Sequence, residues 1–344
     1  MILFNSDYTE GALPEIMDAL VKTNMEQTVG YGEDEYCKLA KAFIKRSCEA
    51  DDADVHFMVG GTQTNLVVIS SVLRPHQAVL CASSGHINTH ETGAIEATGH
   101  KVMTVGGELG KISANEISDA YRAHYEDGTH EHITQPKLVY ISHPTEWGTL
   151  YTKKELMEIS KVCRRCGFYL YLDGARLGYG LTADGTDLTL PDIAEYCDVF
   201  YIGGTKCGAL FGEAVVITNE ALKSDFRYCM KQKGALLAKG RLLGVQFREL
   251  FRDGLYERAC RRANELAMRI RDAFRDKGYD FYFESVTNQQ FPVIENEKAA
   301  ILSEKYLFLP IEKIDEKRTA VRFCTSWATS EESIESLLDD IKNL

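Results

Sequence analysis

The amino-acid sequence predicts an α/β fold, with a large, mostly parallel, seven-stranded sheet and a smaller α+β domain at the C-terminal end. In the middle of the chain, short β-rich runs alternate with helical patterns, which is typical of a parallel sheet covered on both faces. Several of these runs are apolar at every position, as strands buried on both faces are. Near Leu236 the pattern changes to a long charged helical stretch followed by shorter strands.

Seven runs in the first part of the chain are candidate strands. They are Val55–Val59, Ala78–Ala82, Lys101–Val105, Lys137–Ser142, Phe168–Asp173, Val199–Gly203 and Ala214–Thr218. The clearest helix between them is Lys153–Cys166, because Thr152 and Glu155 form a capping-box pattern at its start and Gly167 follows its end.

The change of pattern predicts three parts of the chain: an N-terminal segment (1–14), a large domain (15–235) and a small domain (236–344). The small domain is expected to hold a long helix over Leu255–Lys277. Its last helix is expected to begin at Thr329-Ser330-Glu331-Glu332, which is a second capping-box pattern.

Charge and cysteine usage narrow the classes of function. The net charge of −12 argues against a nucleic-acid or anionic-membrane binder, because phosphate affinity needs a positive field. No run approaches about 18 apolar residues, so no membrane span is expected. The ten cysteines mostly lie inside apolar patterns, which favours a reducing cytoplasm. The single Cys163–Cys166 pair lacks the second pair of a zinc site, and we assign no metal.

Lys206 carries the strongest chemical signal. An apolar strand runs into Gly203-Gly204-Thr205-Lys206, and a lysine is costly to bury at a strand end unless its amine is used. A desolvated lysine has a lowered pKa and can form a Schiff base. The alternative is a solvated loop lysine beside glycines that only turn the chain.

A second buried strand ends at Asp173, within Leu172-Asp173-Gly174-Ala175-Arg176. An unpaired carboxylate there is expensive, so it should face a cation. A pyridinium nitrogen is such a cation, and a carboxylate is the partner that pyridoxal phosphate needs. The alternative is that Asp173 caps a following helix and that Arg176 is its surface partner.

Two further loops follow predicted strands. Gly60-Gly61-Thr62-Gln63 lies between a strand and a helix, where free backbone N–H groups can hold a phosphate or simply form an ordinary turn. His86 follows the strand Ala78–Ala82, where an imidazole can stack on an aromatic cofactor or transfer a proton near neutral pH. His90 lies four residues later, but no third ligand for zinc follows nearby.

These elements, in this order and spacing, resemble the threonine aldolase and β-eliminating lyase family of fold-type-I pyridoxal phosphate enzymes, and in particular its low-specificity L-threonine aldolase branch. The resemblance covers essentially the whole chain, from Phe4-Asn5-Ser6-Asp7 to Arg322-Phe323-Cys324-Thr325-Ser326-Trp327-Ala328-Thr329. It implies an aspartate aminotransferase-like fold with pyridoxal 5′-phosphate as the cofactor.

The resemblance also implies roles for individual residues. Lys206 would form the Schiff base, Asp173 would hold the pyridinium nitrogen, and His86 would stack on the ring. The other implied cofactor contacts are Gly61, Thr62, Gln63, Arg176, Thr205, Lys231 and Lys239. The implied substrate contacts are Ser6, Tyr31, Arg176 and Arg322, with Arg322 gripping the substrate carboxylate in the bidentate geometry that guanidinium suits.

One loop departs from a better-studied branch of the family, which places a histidine after the fourth strand, proposed to act on the β-hydroxyl of the substrate. Here the loop reads Ser142-His143-Pro144-Thr145-Glu146-Trp147-Gly148. Counting back from Gly148 puts Glu146 at that place, with His143 three residues earlier. We predict that the two together set the β-hydroxyl chemistry; the alternative is a turn cap and a solvated loop residue.

The implied activity is retro-aldol cleavage of threonine, allo-threonine and related β-hydroxy-α-amino acids to glycine and an aldehyde. One alternative is β-elimination by another lyase of the same family. A second is a non-catalytic protein that keeps the fold for oligomer or ligand binding, which the intact set of Lys206, Asp173, His86 and Arg322 argues against.

Assembly follows from the segment 230–241, which carries the four cations Lys231, Lys233, Lys239 and Arg241 in an acidic chain. A solvated surface is the usual explanation for such a cluster. In the family, basic residues of the matching segment reach the cofactor phosphate of a neighbouring subunit. The resemblance therefore implies a dimer with shared active sites, paired into a tetramer.

Overall fold

The computed structural model describes residues 1–344 and contains thirteen strands and thirteen α-helices. The strands are β1 (Ile2–Leu3), β2 (Asp54–Met58), β3 (Gln77–Ala82), β4 (Lys101–Val105), β5 (Gln135–Ser142), β6 (Tyr169–Asp173), β7 (Val199–Gly203), β8 (Glu213–Ile217), β9 (Gln289–Gln290), β10 (Val293–Glu295), β11 (Tyr306–Leu307), β12 (Leu309–Lys313) and β13 (Arg318–Cys324). The helices are α1 (Pro14–Lys22), α2 (Glu35–Ser47), α3 (Gly61–Val72), α4 (His86–Thr89), α5 (Ala114–Tyr125), α6 (Lys153–Cys166), α7 (Leu177–Leu181), α8 (Leu190–Tyr196), α9 (Phe226–Gln232), α10 (Arg241–Arg252), α11 (Leu255–Asp276), α12 (Asn296–Ser303) and α13 (Glu331–Lys342).

The main sheet has seven strands in the order β2-β8-β7-β6-β5-β3-β4. Strand β8 is antiparallel to β2 and β7, and all other neighbouring strands are parallel. The predicted seven-stranded, mostly parallel sheet is therefore confirmed. Each predicted strand is found within two residues of its expected ends, because strands β3, β7 and β8 are buried along their whole length and the apolar runs mark them well.

Helix α6 has the predicted bounds and caps. The Thr152 side chain accepts a hydrogen bond from the backbone N–H of Glu155, the Glu155 carboxylate accepts one from the backbone N–H of Thr152, and Gly167 ends the helix with a positive φ of 68°. The capping-box prediction at the last helix is wrong in its register. Ser330, rather than Thr329, caps α13 by accepting a hydrogen bond from the backbone N–H of Ser333, while the Thr329 hydroxyl accepts one from the backbone of Ser326.

Apolar side chains cover both faces of the main sheet. One face packs against residues of α2, α6, α8 and α10, and the other packs against α3 and α9. This double covering leaves the carboxyl ends of the parallel strands open, which is where α/β sheets place their ligands.

A third apolar core lies at the C-terminal end, where α11 and α13 pack on the smaller sheet. In that sheet β13 is antiparallel to β9, β10 and β12. Strand β1 pairs with β11, so the start of the chain is fastened to this C-terminal part. The first half of α11 belongs to the core of the main sheet and its second half to the third core. The predicted boundary between the large and the small domain, at residue 235, therefore stays a prediction.

No helix combines the length and apolarity that a membrane crossing requires.

Candidate active site

One cavity collects the residues that end or follow the central strands. Asp173 ends β6, Ser142 ends β5, Lys206 follows β7 and His86 follows β3. Because these strands are parallel, their carboxyl ends lie at the same edge of the sheet. The cavity is lined by Gly61, His86, Ser142, Pro144, Thr145, Glu146, Asp173, Ala175, Arg176, Tyr201 and Lys206.

Lys206 reaches this cavity with an amine that makes no hydrogen bond and no ion pair. The centroid of the Tyr8 ring lies 5.9 Å from Nζ. Burial lowers the pKa of Lys206, and the charge of Arg176 lowers it further, although the nearby carboxylates of Asp7, Glu213 and Asp173 act in the other direction. A lysine whose amine loses its proton more easily is suited to imine formation.

Asp173 is buried and accepts four hydrogen bonds. Its Oδ2 accepts from the Tyr140 hydroxyl at 2.6 Å and from Asn65 Nδ2 at 3.1 Å. Its Oδ1 accepts from the Tyr201 hydroxyl at 2.5 Å and from the backbone N–H of Ala175 at 3.0 Å. These four donors fix the position of the Asp173 carboxyl group at the base of the cavity.

Arg176 binds Asp7 and not Asp173, which removes the alternative of a surface pair with Asp173. Its Nε and one Nη donate to the two oxygens of Asp7, at 2.7 and 3.0 Å. Burial alone would raise the pKa of Asp7, but the charges of Arg176 and Lys206 together with hydrogen bonds lower it overall. This bidentate pair draws the N-terminal segment against the cavity.

His86 lies on the cavity wall with a buried carboxylate behind it. Its Nδ1 is 2.7 Å from Glu91 Oε1. Burial alone would lower the pKa of His86, but the hydrogen bond to Glu91 and the charges of Asp173 and Glu91 raise it overall. The imidazole is therefore a stronger base than an isolated histidine.

Glu146 is joined to both neighbouring strand ends. Its Oε1 accepts from the backbone N–H of His86 at 3.0 Å and from the Ser142 hydroxyl at 2.7 Å. Its Oε2 is buried and has no partner. Burial raises the pKa of Glu146, although the Ser142 hydrogen bond opposes the shift. One oxygen is thus structural, and the other is left for a proton or a ligand.

His143 is fully buried and is not one of the residues that line the cavity. Its Nδ1 accepts a hydrogen bond from the backbone N–H of Tyr151 at 3.3 Å, and its Nε2 has no partner. Burial, together with the charge of Lys111, lowers the pKa of His143 to about 4. The structure does not bring His143 together with Glu146 in the cavity, nor is His143 the solvated residue of the alternative interpretation.

The predicted phosphate cradle lies at the N-terminus of α3. The first N–H groups of a helix have no partner within it, and here they belong to Gly61, Thr62 and Gln63. The side chain of Gln63 is already hydrogen-bonded within the protein, since it accepts from the Val59 N–H and donates to the Lys233 carbonyl. The Thr205 hydroxyl is also engaged, because it donates to Glu213 Oε1 at 2.8 Å and accepts from the Gly212 N–H at 2.9 Å.

Arg322 approaches from β13 and meets the N-terminal segment. Its two Nη atoms donate to the Asn5 carbonyl at 3.0 Å and to Gln289 Oε1 at 3.1 Å, and its Nε is buried without a partner. Ser6 is buried next to this contact. No carboxylate of the protein neutralises Arg322 within ion-pair distance, so its charge is available to a ligand.

Tyr31, Lys231 and Lys239 lie outside this cavity. The Lys231 amine is 4.8 Å from the centroid of the Tyr31 ring, and both residues line a separate surface cavity. Lys239 is exposed at the end of the same basic segment. Within one chain these three residues are not brought together with Lys206.

Comparison with known proteins agrees with this geometry. The profile of the family described as "Beta-eliminating lyase" matches residues 4–296. The chain belongs to the β-eliminating lyase family. A solved threonine aldolase from Leishmania major is 44% identical, with a TM-score of 0.97, and the match covers 100% of this chain and 99% of that one.

This β-eliminating lyase chain is also similar to a second aldolase in sequence and to an aminotransferase in fold. A low specificity L-threonine aldolase from a Pseudomonas species is 30% identical over 98% of this chain and 96% of its own length. An aspartate aminotransferase from Thermus thermophilus, at 14% identity, shares the fold with a TM-score of 0.69 over 100% of this chain and 91% of its own. The predicted aspartate aminotransferase-like fold is therefore confirmed.

Sequence reasoning missed most of the residues that support the site. Asn65, Glu91, Tyr140, Tyr201 and Asp7 all contact a predicted site residue. A signal was present for two of them, because Tyr140 and Tyr201 are polar positions in otherwise apolar strands. Asp7 lies 169 residues from Arg176, and nothing local in the sequence indicates that pair.

Proposed function

We propose that the protein is a pyridoxal 5′-phosphate-dependent aldehyde-lyase that cleaves L-threonine, L-allo-threonine and related β-hydroxy-α-amino acids to glycine and an aldehyde. The observation that carries the proposal is the pairing, in one cavity, of an unpartnered Lys206 amine with an Asp173 carboxylate held by four donors. The names of the Leishmania and Pseudomonas relatives support the choice of substrate.

The residues of the cavity fit the proposed cofactor. Lys206 would bond to its aldehyde carbon, Asp173 would accept from its ring N–H, and His86 would cover its ring. The free N–H groups at the start of α3 suit its phosphate, and Gly61 allows close approach, since a Cβ there would lie 3.2 Å from the Tyr201 hydroxyl. When bound, the cofactor supplies an electron sink for bond cleavage next to the amino group.

The chain's own residues then divide the work on the substrate. Arg322 binds the carboxylate of the amino acid and fixes its orientation. Glu146 Oε2 accepts the proton of the β-hydroxyl as the Cα–Cβ bond breaks, so that the Cβ fragment leaves as an aldehyde. Glycine forms when Cα receives one proton, which balances the proton that Glu146 takes from the β-hydroxyl.

Glycine release from L-threonine by the purified protein with added pyridoxal 5′-phosphate tests the proposal. We expect glycine and acetaldehyde to form together. Release of ammonia and a 2-oxo acid in place of glycine would indicate β-elimination, the other activity that the family name admits.

Replacing Glu146 by Gln is expected to lower the rate constant for threonine cleavage by about 10²-fold or more, the scale of a lost general base. A base works only when deprotonated, and the pKa of Glu146 is raised by burial. The wild-type rate should therefore fall as the pH drops through this raised pKa, and a pH–rate profile of Glu146→Gln should lack that acidic limb.

Ser142→Ala is the matched variant for this prediction. It keeps the Glu146 carboxylate but removes a hydrogen bond that lowers the pKa of Glu146. The acidic limb should then move to higher pH. If Glu146→Gln keeps the wild-type rate and profile, Glu146 has only the structural role shown by its contact with the His86 backbone.

We also propose a homodimer in which the basic segment of one subunit completes the site of the other, with two dimers pairing into a tetramer. The surface around Tyr31 and Lys231 supports this, because it carries exposed apolar side chains that a lone chain would leave in water. They are Val29, Tyr31 and Tyr228. Tyr31, Lys231 and Lys239 would then serve the partner's cavity.

Removing both lysines in Lys231→Ala/Lys239→Ala is expected to weaken retention of pyridoxal 5′-phosphate by roughly tenfold or more, since each charged contact to a phosphate contributes more than about 1 kcal/mol. Dialysis followed by cofactor absorbance measures this. The double variant Lys101→Ala/Lys161→Ala, which removes two exposed lysines elsewhere, should retain cofactor normally. A monomer by gel filtration that cleaves threonine at full rate would refute the shared site.

A cytoplasmic location is proposed on the state of the cysteines. All ten are free thiols in the structure, and eight of them are buried. Secreted proteins usually join such residues in disulfides, whereas a reducing cytoplasm keeps them as thiols.

A further inference from the structure

Glu91 is a buried carboxylate that lies outside the cavity lining and directly behind His86. Its side chain has no exposed surface. Its Oε1 faces His86 Nδ1 at 2.7 Å and accepts from Asn65 Nδ2 at 2.7 Å, while its Oε2 is buried without a partner. A buried carboxyl group is costly unless it is hydrogen-bonded, so the contacts with His86 and Asn65 are what hold Glu91 in this position.

Asn65 joins Glu91 to Asp173. Its Nδ2 donates to Glu91 Oε1 at 2.7 Å and to Asp173 Oδ2 at 3.1 Å. Its Oδ1 accepts from the Tyr171 hydroxyl at 2.7 Å. Because the tyrosine supplies a proton to Oδ1, the amide can only present its two N–H groups to the carboxylates. Its orientation is therefore fixed by the network.

The same network fixes the state of the imidazole. Glu91 Oε1 already accepts a hydrogen bond from Asn65 Nδ2, so it is also the acceptor where it meets His86, and His86 Nδ1 carries the proton there. His86 Nε2 makes no hydrogen bond within the protein and remains free. The charged or titratable groups that act on His86 are Glu91, Asp173, Lys206 and His90.

We propose that Glu91, oriented by Asn65, is a positioning residue that holds His86 in the Nδ1–H tautomer and leaves Nε2 free to exchange a proton in the cavity. The proposal rests on the proposed function for the identity of the reaction. Asn65 connects the carboxylate behind His86 to the carboxylate that faces the cofactor nitrogen. The Glu91 side chain makes hydrogen bonds with His86 and Asn65 only. A substitution of Glu91 should therefore act on the reaction through His86 and leave the contacts with the substrate unchanged.

Glu91→Gln tests the proposal, because the side chain keeps its size and loses its charge. Its rate constant for threonine cleavage should fall about tenfold or more, the lower part of the range for disturbed acid–base groups, with KM within about twofold. In 15N- and 13C-histidine NMR of the cofactor-loaded protein, the His86 titration should move to lower pH. Glu91→Asp, which restores the charge, should move it back toward that of the wild type.

Glu96→Gln is the matched control, since Glu96 is an exposed carboxylate five residues further along the chain. It should leave the rate and the His86 titration unchanged. An unmoved His86 titration in Glu91→Gln would overturn the proposal. If Glu91→Gln does not fold, the wild-type 15N shifts still decide, because a neutral His86 with its proton on Nε2 contradicts the proposal. A wild-type protein that forms no glycine would refute the proposed function instead, whatever the tautomer.

Discussion

Lys206→Ala is expected to lose threonine cleavage, by roughly the 10⁴- to 10⁶-fold that removal of a catalytic nucleophile costs. Lys206 offers the only unpartnered amine in the cavity, and burial lowers its pKa toward the range where an amine reacts. The variant should also lose the visible absorption band of the lysine-bound cofactor. Steady-state glycine release and an absorption spectrum of the purified protein measure both effects.

A second variant of Lys206 separates the amine from its charge, and a variant of an exposed lysine is the control. Lys206→Arg keeps a cation but cannot form an imine, so it should be as inactive as Lys206→Ala. Lys161→Ala removes an exposed lysine on α6 and should be indistinguishable from the wild type. Turnover of threonine by Lys206→Ala at a rate close to that of the wild type would remove Lys206 from the mechanism.

Arg322→Ala is expected to weaken binding of the amino acid far more than binding of the cofactor. A charge-assisted pair with the substrate carboxylate is worth about 2–5 kcal/mol, which is roughly 30-fold or more in apparent affinity. The structure leaves Arg322 Nε without a partner, so a carboxylate would gain a contact that the protein does not make. KM for threonine and the retention of cofactor on dialysis measure the two affinities.

Arg318→Ala is the control on the same strand. Arg318 already pairs with Asp315 at 2.8 Å, so its removal should leave the KM for threonine unchanged. An apparent affinity of Arg322→Ala for threonine within about twofold of the wild type would mean that the substrate carboxylate binds elsewhere.

The main sheet was predictable because its signals are local. Strands such as Val199–Gly203 are buried at every position and are mostly apolar, and the start of α6 carries a capping box within four residues. The error at α13 also has a local cause. Thr329 and Ser330 both precede glutamates, so the sequence offers both as the N-cap residue. In the structure the Thr329 hydroxyl already accepts a hydrogen bond from the backbone N–H of Ser326, and Ser330 is the N-cap.

The site was predictable where a costly residue stands at a strand end, as at Lys206 and Asp173. It was not predictable where contacts join distant parts of the chain. Asp7 reaches Arg176 across 169 residues, and Asn65 reaches Asp173 across 108. Neither pair leaves a pattern in the sequence. His143 was named with Glu146 because the two lie in one loop, but the loop turns His143 toward Tyr151.

The fate of the Cα–Cβ bond tests the proposed reaction most directly. Uniformly 13C-labelled L-threonine is incubated with the cofactor-loaded protein and followed by 13C NMR. Retro-aldol cleavage predicts labelled glycine and acetaldehyde in equal amounts, with the coupling between the former Cα and Cβ lost. A labelled 2-oxo acid that keeps this coupling, released with ammonia, would contradict the proposed activity.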